Sequence, residues 1–166
     1  MIFFKKRHNY TLYNTLLNLS RNIFFYEKAN LKDNFETRIY LMFFHLSVLM
    51  LIFKKKNKKF KQENYDFFFH SIENDLRELG FGDVSVNKKM KELNKILYDI
   101  LLKIDHSETN DKFVINKDIL IKYFDSLISK ENAKLSLMAS YFEEFFGFCF
   151  ELSMDNMIED IKNFKY

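Results

Sequence analysis

Ile39-Tyr40-Leu41-Met42-Phe43-Phe44-His45-Leu46-Ser47-Val48-Leu49-Met50-Leu51-Ile52-Phe53 is the stretch on which the fold turns. These fifteen residues carry no formally charged side chain. At helical spacing, their apolar side chains cover almost every face rather than one stripe, so the segment predicts a central helix enclosed by others. It is short of the roughly twenty apolar residues that cross a bilayer and contains His45 and Ser47. A buried helix is the expectation; a membrane-dipping helix stopped by the lysines that follow is the competing reading. Just upstream, Asp33 and Glu36 have the spacing of a capping box, which predicts the helix start.

Working outward, Leu12, Leu16, Leu19, Ile23 and Tyr26 recur every three or four residues and predict a first helix over about Thr11 to Lys28. After the central helix, Lys54, Lys55, Lys56, Lys58, Lys59 and Lys61 read as its solvated end and the following loop, where cations also complement the helix dipole. Tyr65, Phe68, Ile72, Leu76 and Leu79 form the buried stripe of a third helix that stops at Gly80. The turn Gly80-Phe81-Gly82-Asp83 spends two of only three glycines in the chain and points to backbone geometry that favours glycine. A fourth helix from about Ser85 buries Val86, Met90, Leu93, Leu97, Ile100 or Leu101, and Ile104, and leaves a basic outer face with Asn87, Lys88, Lys91 and Lys95. A polar loop over Asp105 to Lys112 precedes two more helical patterns, Lys117 to Ser129 and Ala133 to about Lys162. The absence of proline and the few glycines argue against an all-β fold with many tight turns. The expected architecture is all-α, one domain over residues 1–166, a bundle of about six helices around a central apolar one, without an internal repeat.

Phenylalanine occurs 21 times, so Phe-rich stretches read as core before they read as ligand cages. The net charge is +3. Basic residues outnumber acidic ones before residue 84 and fall short of them after it, and Glu143, Glu144, Glu151, Asp155, Glu159 and Asp160 make the end acidic. A single cysteine, Cys149, excludes an intrachain disulfide and a thiolate zinc cluster, and suits a reducing compartment. No secretory signal pattern opens the chain. None of the four histidines has a Glu three residues before it or another His four residues away, so inward-facing metal pairs of the helical-bundle kind are not expected. Gly80-x-Gly82 lacks the third glycine and the preceding strand of a dinucleotide fingerprint. His45 reads as a hydrogen-bonded core residue, with a general base or haem ligand as the alternative. No metal, cofactor or catalytic residue is predicted.

The run Asp75-Leu76-Arg77-Glu78-Leu79-Gly80-Phe81-Gly82-Asp83-Val84-Ser85-Val86-Asn87-Lys88-Lys89-Met90-Lys91 closely resembles the signature of the ubiquinol-cytochrome c chaperone family. Leu12-Tyr13, Ser20-Arg21, Phe25-Tyr26, Asp33, Arg38 and His45 follow the order and spacing of that family's N-terminal half. The resemblance spans roughly residues 12 to 105, with an echo at Ala139-Ser140-Tyr141. It departs at Leu97-Tyr98-Asp99, where the family usually has Phe-Tyr-Gly. The lack of a long N-terminal extension suits a bacterial member.

The resemblance implies a helical chaperone, not an enzyme, that binds newly made cytochrome b and supports assembly of ubiquinol-cytochrome c reductase. A small helical partner protein and the ribosome are further implied contacts. Asp75, Arg77, Glu78, Gly80, Gly82, Asp83, Lys88, Lys89 and Lys91 are the expected partner-binding residues. Only four of the basic residues are Arg, and Arg21, Arg38 and Arg77 fall at resemblance positions, with Asp33, Asp75 and Glu78 as available carboxylates. Arg21, Asp33 and Arg38 are expected in structural ion pairs. The Lys54 to Lys61 run is expected to touch anionic membrane or ribosomal RNA, which places the protein in the cytoplasm at the inner membrane, or in the matrix if the source is eukaryotic. No specific DNA contact is implied. A basic helical RNA- or ribosome-binding module without an assembly role is the alternative.

Overall fold

A computed structural model of the chain describes residues 2–108, 112–128 and 132–166, with side chains from residue 11 onward. The described elements are α1 (Ile2–Ser20), α2 (Ile23–Glu27), α3 (Phe35–Lys55), α4 (Gln62–Glu78), α5 (Asp83–Lys103), α6 (Lys117–Tyr123), α7 (Ala133–Phe150) and α8 (Met157–Asp160), with single 3-10 turns at Asp125–Leu127 and Ile161–Asn163. Six of these helices run seven residues or more, the number expected from the periodicity. No strand occurs among the described residues; one isolated bridge, Asp105 to Ile115, closes the loop between α5 and α6.

The apolar segment is the axis of the bundle. Every residue from 41 to 49 is buried, and α1, α5 and α7 pack around α3. By length and composition α3 could cross a membrane, but most of its apolar stretch is enclosed by the other helices. Its start differs from the expected capping box. The N-cap is Asn34, whose side chain accepts a hydrogen bond from the Thr37 amide at 2.9 Å, while Asp33 sits one residue outside and takes Arg38 instead. At the other end, Asn57 adopts positive φ, and the Lys58 amide donates to the Phe53 carbonyl and the Asn57 amide to that of Lys54. That pattern satisfies the carbonyls a helix end leaves open.

Three other boundaries moved. The predicted helix over Thr11 to Lys28 is two helices, because the chain turns at Arg21 and restarts under an Asn22 side-chain cap on the Phe24 amide. Hydrophobic spacing cannot see such a break, since Ile23 and Tyr26 keep the period across it. The last pattern also divides: α7 ends at Phe150, and α8 follows after a turn. Between them, the Lys117 pattern yields a two-turn helix and a 3-10 turn; Ser129, its expected end, lies outside the described residues.

The α4–α5 turn uses its glycines unequally. Gly80 has φ +94 and terminates α4, its amide donating to the Arg77 carbonyl and that of Phe81 to Leu76. Gly82 has φ −73, which any residue adopts, and caps α5. A Cβ at either site meets nothing within 4 Å, so only backbone strain distinguishes them. Gly80→Ala is expected to lower stability by about 1–2 kcal/mol in urea unfolding, and Gly82→Ala by less than about 0.5 kcal/mol. Equal losses at both sites would refute the left-handed cap.

His45 ties α3 to α7 inside this bundle. The ring is fully buried, and Phe25, Tyr141, Phe142 and Phe145 meet it edge-on. Its Nδ1 lies 2.6 Å from the Leu41 carbonyl and its Nε2 lies 2.7 Å from the Tyr141 hydroxyl. A carbonyl only accepts, so Nδ1 carries the proton and Tyr141 donates to Nε2. Burial holds the imidazole down to about 4, against a weaker opposing effect of the Leu41 bond. The core-residue reading of His45 stands, with Tyr141 as the partner. Cys149 is likewise buried in the core, and burial pushes its thiol well up.

Candidate functional site: a mixed-charge groove between α1, α3 and α4

A groove of about 350 Å³ opens where α1, α3 and α4 meet. Leu17, Phe35, Ile39 and Met42 form its apolar part, continued by Leu79 at the rim, and Tyr13, Arg21, Arg38, Asp75 and Glu78 supply its polar groups. The local causes are plain. Arg21 is placed by the turn that ends α1, Arg38 by the first turn of α3, and Asp75 and Glu78 by the i, i+3 spacing that puts both on one face of α4.

Each charge has a different status. Arg38 is anchored: its Nη2 donates to Asp33 at 2.6 Å and its Nε to the same oxygen at 3.1 Å. That bond chiefly raises the guanidinium pKa. Asp75 is half-buried and accepts a hydrogen bond from the Tyr13 hydroxyl. Its carboxyl is raised by burial and by nearby Glu78, against the opposing Tyr13 bond and Arg21 charge. Burial first, and then Asp75, push the Tyr13 phenol up. Arg21 and Glu78 are both exposed, and neither makes an ion pair among the described residues. The groove therefore presents one free guanidinium and one free carboxylate beside an apolar floor, a surface suited to gripping an amphipathic segment reversibly.

The signature run from Asp75 to Lys91 does not lie on one surface. Asp75 and Glu78 line the groove, whereas Arg77 points out of it and pairs with Glu73 at 2.9 Å and with Asp83 across the glycine turn. Those two bonds, Asp83 first, raise the Arg77 pKa. Lys89 turns back to α3 and meets Glu36 at 3.0 Å; burial lowers its pKa, and the Glu36 bond and charge outweigh that. Lys88 and Lys91 stand exposed on the outer side of α5. Gly80 and Gly82 shape the turn between these groups.

The lysine run is also divided. Lys55 reaches Asp105 at 3.2 Å, and Lys56 donates to the Phe150 carbonyl and sits 4.6 Å from the centre of that ring. Lys54, Lys58, Lys59 and Lys61 are exposed. The last three share a cleft with Glu63, Asp155 and Glu159.

Sequence reasoning misplaced the rim of the groove. Leu79 was expected in the core but is 58 % exposed, because α4 ends one residue before it and the chain swings outward at Gly80. Tyr13 was visible only as part of the resemblance. Among the described residues, no group of three or more His, Cys, Asp and Glu side chains is placed to hold a metal ion. Residues 27–160 match a family model described as Ubiquinol-cytochrome C chaperone. That match takes in α3 through α8 and extends well past residue 105, while the α1 wall of the groove lies ahead of it. No curated protein and no solved structure matches the chain.

Proposed function

This chain belongs to the Ubiquinol-cytochrome C chaperone family, and from that premise we propose that it is an assembly chaperone for ubiquinol-cytochrome c reductase that holds newly made cytochrome b in the α1–α3–α4 groove. The observation that carries the placement is the pair of exposed charges outside any ion pair among the described residues, Arg21 and Glu78, over one apolar floor. Holding and releasing a client breaks no covalent bond. It needs contacts strong enough to hide apolar surface and weak enough to let go, and solvent-screened charges with a shallow apolar groove meet both conditions.

Peripheral contact with the inner membrane fits the same role. The four exposed lysines, Lys54, Lys58, Lys59 and Lys61, can each contribute on the order of 1 kcal/mol at an anionic surface. Asp155 and Glu159 beside them reduce that total. Contact with the ribosome, and with a small helical partner, would place the chaperone where cytochrome b is made.

Deleting the gene tests the role: cytochrome b and assembled complex III should fall together, and normal levels of both would end the chaperone reading. Charge reversal tests the groove separately. Arg21→Glu combined with Glu78→Lys should cut co-purified cytochrome b several-fold with little change in Tm, because both side chains are exposed and unpaired. Unchanged recovery of cytochrome b would move the client elsewhere on the molecule.

A further inference from the structure

The outer side of α5 carries a second, separate surface. Val84, Lys88, Lys91, Lys95, Tyr98 and Leu102 follow at steps of four, three, four, three and four residues, which aligns them along one side of the helix for about 27 Å. On the opposite side, Val86, Leu93, Leu97 and Ile100 are buried in the core. Val84 is 84 % exposed, Leu102 83 % and Tyr98 56 %, and the Tyr98 ring lies near Tyr65 of α4. The three lysines between them are exposed and make no ion pair among the described residues. No acidic residue interrupts the line. It is an apolar–cationic–apolar seam that no other helix covers, Tyr65 touching it only at Tyr98.

We propose that this seam docks an acidic amphipathic helix of a partner protein, with carboxylates over Lys88, Lys91 and Lys95 and apolar side chains over Val84 at one end and Tyr98 and Leu102 at the other. The alternating four-and-three spacing is the periodicity along which a second helix keeps contact as the pair coils. A second copy of this chain fits poorly, since pairing two such seams in antiparallel sets lysine against lysine at the centre. A bilayer fits poorly as well: an interfacial helix sinks a broad apolar face, whereas this line is one residue wide with its cations in the middle. The seam does not include the groove, and its occupant is set by its own charge pattern whichever client the groove holds.

A synthetic helix with Glu opposite the three lysines and Leu opposite Val84, Tyr98 and Leu102 provides the probe, read by fluorescence anisotropy with the purified full chain. The wild type should bind it, more weakly as salt rises. Lys88→Glu/Lys91→Glu/Lys95→Glu should weaken binding roughly tenfold or more and should gain binding to the inverse peptide with Lys in place of Glu. Leu102→Asp should weaken both pairings. These side chains are exposed, so far-UV circular dichroism should stay unchanged. Failure of the wild type to bind the acidic helix overturns the proposal, as does equal binding by the triple variant. A wild-type dimer in sedimentation that the triple variant abolishes would assign the seam to a second copy instead. Binding to phosphatidylglycerol vesicles lost in the triple variant, without peptide binding, would assign it to lipid. None of these results bears on whether deletion lowers cytochrome b.

Discussion

Alanine at position 45 is expected to lower the unfolding free energy by about 3–5 kcal/mol. The substitution removes a buried ring met by four aromatic neighbours and leaves a cavity that α3 and α7 cannot close without moving. It also strands the Tyr141 hydroxyl, whose only hydrogen bond among the described residues is to His45. Tyr141→Phe should cost less, about 1–3 kcal/mol, because the shape is kept and only the Nε2 acceptor is left unsatisfied. The double variant His45→Leu/Tyr141→Phe is the informative one. It replaces both hydrogen-bonding groups with apolar ones of similar volume, and the Leu41 carbonyl keeps its helical bond. The double variant should therefore be more stable than His45→Leu alone. Urea unfolding at pH 7 of the singles and the double measures this coupling. If the losses add, the His45–Tyr141 bond contributes nothing of its own.

The same pair shows how far the sequence could be read. Residues 39–53 announced the central helix because a run apolar on almost every face must be shielded from water, by other helices or by lipid, and the other helices enclose most of α3. His45 and Tyr141 were each noticeable, one as a lone polar residue in an apolar helix and the other in an echo of the family pattern. Their pairing was not, because they are 96 residues apart and helical spacing reports only neighbours on one helix. The groove follows the same logic. Asp75 and Glu78 were legible as a pair because they share a face of α4, but Tyr13, Arg21 and Arg38 come from other elements, and only the packing of α1 on α3 and α4 assembles them. The Asp33–Arg38 bond was within reach of the sequence, five residues apart; the capping box that claimed Asp33 was not, since Asn34 next to it competes for the same N-cap role and takes it. In the Lys54 to Lys61 run, charge alone could not separate the residues turned toward Asp105 and Phe150 from those left in water.

Acid is expected to unfold this protein through His45 before it does so through its carboxylates. The folded imidazole is held down to about 4 by burial, while in the unfolded chain it titrates near its ordinary value of 6.5. Between those values the unfolded chain binds a proton that the folded chain refuses, so stability falls as pH falls through this window and is fully present above 6.5. A difference of that size corresponds to roughly 3 kcal/mol at the bottom of the window. Two carboxylates act lower down. Burial works to raise Asp99, but bonds from Lys103, Lys122 and Tyr123 outweigh it; for Asp105, contacts with Ser107 and Lys55 do the same. Their stabilisation is present above the usual carboxylate range and is lost only as pH drops below about 4. Asp75, raised by burial and Glu78, works in the opposite sense and is common to any variant at position 45. The difference between the wild type and His45→Leu/Tyr141→Phe therefore isolates the imidazole. Unfolding free energies measured from pH 7 to pH 4 should converge by roughly 3 kcal/mol, the wild type losing the more. Parallel curves would mean that the ring reaches water or a counter-charge before the bundle opens, and that the aromatic enclosure at the centre of α3 is looser than its geometry.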